Sequence, residues 1–269
     1  MQNILTVDFE DWYQTHSYNT RVKISDWGLL ENRLAVTLKI LDTLNEFNIK
    51  ATFFIVAYNI RNSLSIIRRI IKEGHEIGLH GYYHNLVYRQ SPLEFRKEVE
   101  YSKCLLEDLS QKKIVSFRAP NWSITPSCLW ALEVLTELGF RYDSSMHDSL
   151  FEKISYKIPL GLREIPRPSF NLANFSVPFA GGIFFRAYPY CLTKKLIHQK
   201  NNRNQRVVVY IHPWEFDDVN HEIKLGFPYE FIQNFGLKYT KEKFKSLLSD
   251  FNFSSIEDVF LDETLDKKR

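Results

Sequence analysis

Short apolar runs alternate with segments of helical periodicity along this chain. Leucines recur at helical spacing between Glu31 and Phe47, and Ser91-Pro92-Leu93-Glu94 has the sequence of a capped helix start. Strands that alternate with helices predict a parallel sheet, and about seven such units predict a closed or nearly closed barrel. The apolar runs expected to form strands are 4–7, 51–56, 76–79, 114–117, 140–142, 163–165, 182–185 and 206–211.

The composition is that of a globular protein, and the length suits one large domain, such as an α/β barrel, or two small ones. Apolar residues make up 44% and charged residues 25% of the 269 residues, and the net charge of +3 with no basic run argues against a nucleic-acid partner. Three widely separated cysteines predict neither a disulfide framework nor a zinc–thiolate site. Without a basic leader or an apolar run near the ~18 residues of a membrane span, a cytoplasmic protein is expected. We expect a single domain over 1–269, with 217–238 as a rim loop and 262–269 as a frayed tail.

Polar side chains follow the predicted strands at their carboxyl ends. Active sites of α/β barrels lie on that face, so we expect these groups to meet in one site. His80 and His84 are four residues apart, a spacing that lets two imidazoles on one helical turn converge on one ion. The groups are, in chain order, Asp8-Phe9-Glu10-Asp11, His80 with His84, Arg118, Asp143 and His212.

These residue types together describe metal-assisted hydrolysis of an amide. Two histidines and one carboxylate leave open positions on a divalent metal, as in catalytic zinc sites. Such a metal lowers the pKa of bound water to roughly 7 and polarises a carbonyl oxygen. A second carboxylate could act as general base, oriented by Arg118 through a charge-assisted hydrogen bond. His212, arriving from a distant strand, could protonate the departing amine.

In order and together, these motifs resemble the polysaccharide deacetylases, the NodB-homology enzymes of carbohydrate esterase family 4. The resemblance covers about Ile4 to Phe216, and the motif Ala180–Arg186 is similar to the subgroup found with bacterial exopolysaccharide gene clusters. The matching elements are Thr6-Val7-Asp8-Phe9-Glu10-Asp11, Ala51-Thr52-Phe53-Phe54, Gly74-His75-Glu76-Ile77-Gly78-Leu79-His80 through His84, Phe117-Arg118-Ala119-Pro120, Tyr142-Asp143-Ser144-Ser145 and Tyr210-Ile211-His212-Pro213-Trp214.

The resemblance implies a distorted (β/α)7 barrel that removes the acetyl group from an N-acetylated amino sugar in a saccharide. It also implies a divalent metal, usually zinc, held by one carboxylate together with His80 and His84. The family's paired Asp-Asp-Gly is replaced by Asp8-Phe9-Glu10-Asp11, so Glu10 and Asp11 both remain candidate ligands. Strand alternation places Asp8 and Glu10 on one face, whereas comparison with the shorter family motif favours Asp11.

The remaining roles that the resemblance implies are catalytic and substrate-binding. Asp8 is the expected base, with Arg118 and His212 as its catalytic partners. Gly81 stands where the family has Ser or Thr, which removes one support of the metal loop. The residues expected at the substrate are Pro120, Trp122, Asp143 and Trp214.

Alternatives stay open at this stage for individual residues and for the function. The tryptophans could belong to the core, and Asp143 could brace the backbone instead of supporting the site. The chain could also hydrolyse small cyclic amides or ureides, although the intact histidine pair argues against this. Finally, the altered first motif allows a carbohydrate-binding protein that has lost catalysis.

Overall fold

The computed structural model describes residues 1–19, 21–173, 175–217 and 223–266. Its strands are β1 Asn3–Phe9, β2 Thr52–Ile55, β3 Glu76–Leu79, β4 Ser116–Phe117, β5 Tyr142–Asp143, β6 Arg163–Glu164, β7 Ser169–Leu172, β8 Phe175–Pro178, β9 Val208–Ile211 and β10 Phe253–Ser254. Its α-helices are α1 His16–Asn19, α2 Thr37–Glu46, α3 Ile60–Lys72, α4 Pro92–Ser110, α5 Trp130–Glu137, α6 Asp148–Ile154, α7 Gly182–Ala187, α8 Tyr190–Asn201, α9 Tyr229–Asn234, α10 Thr240–Asp250 and α11 Ile256–Asp266.

A curled parallel sheet forms a half-barrel at the centre of the fold. Strands β2 to β6 follow β1 in chain order on one side, and β9 pairs with β1 on the other. The short β10 pairs with Asn3 and Ile4 at the start of β1. Within the described residues β6 and β9 do not pair, and a single bridge between Gly181 and Tyr210 lies at the edge of β9. The prediction of a single-domain α/β barrel is confirmed, and the barrel is open between β6 and β9.

The strands have continuous apolar sequences because both faces of the sheet are buried. Every residue of β1 is buried: Leu5, Val7 and Phe9 lie in the main apolar core, whereas Ile4 packs in a second apolar cluster and Asp8 lines the site. In β3, a Cβ at Gly78 would lie 2.6 Å from the Phe54 ring, so glycine is required for the two strands to pack with that ring between them. The Phe54 ring in turn lies 4.4 Å below the Arg118 guanidinium, which links this packing to the site.

Three sequence-based expectations about elements need correction. Residues 182–185 form the start of helix α7, not a strand, since the bridge that precedes them ends the extended segment at Gly181. The predicted rim loop 217–238 contains helix α9, with 218–222 outside the described residues. The predicted frayed tail overlaps α11, which continues to Asp266, and 267–269 lie outside the described residues. None of the helices in the described part of the chain combines the length and apolar character that crossing a membrane requires.

Candidate active site

Three buried side chains converge at the carboxyl end of β1 and β3. Glu10, His80 and His84 each offer a ligand atom, and these atoms all lie within 4.8 Å of one another. His84 Nε2 is 2.6 Å from Glu10 Oε2. His80 Nδ1 is 2.7 Å from the carbonyl oxygen of Arg118, which directs its Nε2 toward the cluster. One carboxylate and two imidazoles are the donor set of an open divalent-metal site, so the residues fit the implied metal.

The electrostatics of the cluster keep His80 and Glu10 in the forms that bind metal. Burial, followed by the neighbouring His84, holds the pKa of His80 well below its ordinary value, so this imidazole is neutral. Burial alone would raise the pKa of Glu10, but His84 and the other nearby histidines outweigh it and lower that pKa to about 2. A neutral imidazole and an ionised carboxylate are the ligating forms.

The loop that carries both histidines is braced from helix α4. Glu98 accepts hydrogen bonds from Tyr82 N and Asn85 Nδ2, each 2.9 Å long. Gly81 has a φ of +72°, and a Cβ there would lie 3.1 Å from Glu98 Oε1. Glu98 therefore supplies the support that the sequence lacks at Gly81. Sequence reasoning missed it because a glutamate inside an amphipathic helix is typical of a solvated face.

Asp8 and Glu10 lie on one face, as strand alternation predicted. Asp8 Oδ1 accepts from Arg118 Nη1 at 2.7 Å, and Arg118 is fully buried. The same nitrogen donates to Thr6 Oγ1, and Nη2 donates to Ser144 Oγ. The aromatic rings of Phe54 and Trp122 lie 4.4 and 4.6 Å from the guanidinium carbon. Arg118 is therefore fixed by bonding and stacking, and it fixes Asp8.

His212 faces both carboxylates from the end of β9. Its Nε2 is 3.7 Å from Asp8 Oδ2 and 3.7 Å from Glu10 Oε1. On the other side, its Nδ1 lies 3.1 Å from Glu215 Oε2. Burial works against protonation, but Glu215 and then the two site carboxylates raise the pKa of His212 to about 9. The imidazole is therefore a cation at neutral pH and can act as a proton donor.

Glu215 is a functional residue that sequence reasoning passed over. It accepts from Arg186 Nε at 2.8 Å, and both side chains are almost fully buried. Arg186 also donates to backbone carbonyls of Ile232 and Gln233 in α9. The available signal was the three-residue spacing from His212 in the His-Pro-Trp-Glu motif, where the backbone N–H of His212 also donates to Glu215.

A cavity of about 250 Å³ opens over these groups. Trp122 and Trp214 line it, as the substrate-binding prediction expected, and the Trp214 ring stacks on His212 at 5.2 Å. Pro120 is buried and is not among the lining residues; it faces Gly81, and its assignment to substrate binding stays a prediction. The cavity is also lined by Arg167, which the sequence did not single out.

Asp11 lies outside the ligand cluster, which corrects its prediction as a metal ligand. It caps the short helix Trp12–Gln14 and accepts hydrogen bonds from Trp12 N at 2.9 Å and Arg33 N at 3.0 Å. Its carboxylate is therefore committed to backbone donors. Burial raises the pKa of Asp11 to about 7 despite these bonds. Of the two candidates, Glu10 is the one placed with the histidines.

Asp143, expected at the substrate, makes contacts that favour the bracing role left open by the sequence, and its substrate-binding role stays a prediction. It is fully buried, is not among the residues lining the cavity, and accepts from Ser145 Oγ. The parallel register of β5 and β6 pairs it with Glu164, whose Oε1 accepts from the backbone N–H groups of Ser145 and Met146. Burial raises the pKa of Asp143 to about 6, and burial together with Asp143 raises that of Glu164 well above its ordinary value. The two carboxyls are a bracing pair that retains a proton at neutral pH.

Replacing Glu164 with glutamine is expected to stabilise the protein at alkaline pH. A carboxyl whose pKa is raised on folding adds stability below its unfolded pKa of about 4.5 and loses that stability as pH rises through the folded value. The amide of Glu164→Gln is neutral at every pH, so the variant should be more stable than the wild type at pH 8 and match it near pH 4. Denaturant unfolding at both values measures this. The exposed Glu152→Gln is the control, and an equal effect of both variants would contradict the assignment.

Two family models match consecutive parts of the chain. Residues 28–142 match the family described as polysaccharide deacetylase, and 143–261 match the family described as Domain of unknown function (DUF3473). His80 and Arg118 fall in the first part, and His212 falls in the second. The site described above therefore combines side chains from both matched parts.

Similar proteins are deacetylases by name. A peptidoglycan-N-acetylglucosamine deacetylase of Bacillus cereus is 36% identical over 101 residues, 37% of this chain and 37% of that protein. The peptidoglycan deacetylase-like protein FGM2 of Gibberella zeae is 32% identical over 168 residues, 58% of this chain and 48% of that protein. The chain thus spans less than half the length of these relatives. A polysaccharide deacetylase homologue from Mycobacterium smegmatis has the same fold, with a TM-score of 0.60 at 18% identity over 99% of this chain and 92% of that chain.

Proposed function

We propose that this chain is a metal-dependent hydrolase of an N-acetylated amino sugar, since residues 28–142 match the polysaccharide deacetylase family and 143–261 match DUF3473. The substrate would be a polysaccharide or its precursor, and the motif Ala180–Arg186 favours an exopolysaccharide. One observation carries the proposal: His212 Nε2 lies 3.7 Å from both Asp8 and Glu10, beside the paired histidines. The alternatives of a cyclic-amide hydrolase and a non-catalytic binding protein gain no support from the matches.

Glu10, His80 and His84 would hold the divalent metal, with zinc as the first candidate. When bound, the metal would supply Lewis acidity to the acetyl carbonyl and acidify a water molecule. The buried position of all three ligands excludes bulk water from the cluster. Removing bulk water strengthens each electrostatic interaction there.

Asp8 would act as general base and His212 as general acid. Arg118 occupies one oxygen of Asp8, which leaves Oδ2 as the oxygen facing His212 and the cavity. That oxygen would take the proton of the attacking water. His212, a cation at neutral pH, would give its Nε2 proton to the departing amine of the sugar. Trp122 and Trp214 would form the apolar walls beside the acetyl group and the sugar ring.

Acetate release tests the proposal directly. Purified protein is freed of metal, reloaded with zinc, cobalt or nickel, and incubated with N-acetylated oligosaccharides and nucleotide sugars while bound metal is measured on the same sample. We expect acetate from at least one substrate, only with metal. Absence of acetate across the panel from fully loaded protein would reject the hydrolase and return the binding protein as the better account.

Replacing Glu215 with glutamine is expected to shift the alkaline limb of the rate–pH profile to lower pH. His212 must be protonated to act as an acid, so activity falls as pH rises through its pKa. Removing the charge of Glu215 removes the main interaction that raises this pKa, and the limb should move down by about 1–2 pH units. The kcat/KM profile from pH 6 to 10 measures the shift. Exposed Glu242→Gln serves as control, and an unmoved limb in Glu215→Gln would show that Glu215 does not tune the histidine.

A further inference from the structure

Arg167 is held rigidly at the wall of the active-site cavity. Its backbone N–H donates to Met146 O at 2.8 Å, and its carbonyl accepts from Asp148 N. These bonds form a parallel bridge that fixes the start of its side chain beside His147. The guanidinium lies 5.6 Å from the centre of the Trp122 ring and 6.0 Å from that of Phe184. Arg167 therefore projects into the cavity from a fixed backbone position.

Arg167 differs from the other two arginines that line the cavity. Arg118 is paired with Asp8 at 2.7 Å and Arg186 with Glu215 at 2.8 Å. Among the described residues, no carboxylate forms a salt bridge with Arg167. Its polar neighbours are neutral: Nη2 lies 2.5 Å from His147 Nδ1, and the Tyr210 hydroxyl interacts with the same guanidinium.

One hydrogen-bond donor of Arg167 has no acceptor among the described residues. Its Nε is buried and has no hydrogen-bond partner. Burial and the adjacent guanidinium lower the pKa of His147 to about 4, so the imidazole adds no positive charge and offers no negative one. A guanidinium has five donors in a planar fork that matches a carboxylate or phosphate. A buried donor without a partner is costly, and an anionic ligand would remove that cost.

We infer that Arg167 binds an anionic group, a carboxylate or a phosphate, carried by the saccharide substrate. The position of that group follows from Trp122. Its ring contacts the guanidinium of Arg118 at 4.6 Å and that of Arg167 at 5.6 Å, so the two cations are no farther apart than these distances added together. The anion would therefore lie on the acetylated sugar itself or on a neighbouring sugar of the same saccharide. The position of the acetyl group in this inference rests on the proposed function, whereas the binding of an anion by Arg167 does not depend on it.

Matched substrates test this inference. Acetate release is measured on a neutral N-acetylated oligosaccharide, on the same oligosaccharide with a neighbouring uronic acid, and on the corresponding glycosyl phosphate. The wild type should prefer one charged form by about 10- to 100-fold in kcat/KM. Arg167→Gln should remove most of that preference by raising KM for the charged form, and Arg167→Lys should restore part of it. Which charged form is preferred distinguishes carboxylate from phosphate.

Control and contrary results are as follows. Arg68→Gln removes the same charge from the exposed face of α3 and should keep the wild-type preference. No preference in the wild type, or an equal loss on charged and neutral substrates in Arg167→Gln, would overturn the inference. If no substrate releases acetate, the proposed function fails, and calorimetric binding of the same saccharides to metal-free protein decides the matter: affinity for the charged form at least tenfold weaker in Arg167→Gln supports the anion site, and equal affinity rejects it.

Discussion

Replacing Glu10 with glutamine is expected to abolish stoichiometric metal binding and to lower kcat/KM for acetate release by on the order of 10³-fold or more. Glutamine keeps the size of the side chain but offers a neutral amide in place of the carboxylate. Glu10 is the only carboxylate in the cluster with His80 and His84 among the described residues, so no neighbour replaces it. Metal content per chain after dialysis and acetate release on the same sample measure both effects.

The adjacent carboxylate provides a matched control. Asp11→Asn makes the same carboxyl-to-amide change one residue away, and asparagine is as good a helix cap as aspartate. Because Asp11 binds backbone N–H groups outside the cluster, this variant should keep one metal per chain and most of the activity. Metal loss in Asp11→Asn with retention in Glu10→Gln would reverse the assignment and restore the ligand that the family motif favoured.

The sequence predicted the parts of the site that strand periodicity controls. Side chains two apart along an extended segment face the same way, which brought Asp8 and Glu10 together at the end of β1. Parallel strands end at one edge, which brought His212 to both of them. Where these side chains point depends on the backbone geometry of the strands, and the hydrophobic pattern of the sequence predicts that geometry. His80 and His84 also converge, but on a loop in which His84 has a φ of +55°, not on the helical turn that their spacing predicted.

The sequence was least informative where a side chain has two possible sets of partners. Asp11 could bind a metal or cap a helix, and its hydrogen bonds from Trp12 N in the cap and from the distant Arg33 N show that backbone donors occupy its carboxylate. Asp143 follows a strand as a site residue would, but the register with β6 places Glu164 beside it and turns it into a bracing group. Likewise, residues 182–185 have the composition of a strand but form the start of helix α7.

The residues that sequence reasoning missed act through contacts with distant segments. Arg167 is notable only because no described carboxylate pairs with it, and that cannot be read from sequence. Glu98 reaches the metal loop from the middle of a helix. A single sequence contains no signal for such pairings.

Replacing Asp8 with asparagine is expected to lower kcat by about 10²- to 10⁴-fold, the range for loss of a general base. It should also lower the free energy of unfolding of the metal-free protein by about 3–5 kcal/mol, because the fully buried Arg118 would lose its counter-charge. Asparagine keeps an acceptor oxygen, so the activity loss would report the missing base and not a collapsed cavity. Denaturant unfolding and acetate release measure the two effects separately.

The double variant Asp8→Asn with Arg118→Met separates stability from catalysis. Removing one partner of a buried ion pair leaves an uncompensated charge, whereas removing both leaves none. The double variant should therefore be more stable than either single variant, a non-additive result that a double-mutant cycle measures directly. Its activity should remain as low as that of Asp8→Asn, because the base is absent in both. If stability losses were additive, Asp8 and Arg118 would not be coupled; if activity recovered with stability, Asp8 would be a bracing residue, and the base would have to be sought at Glu10.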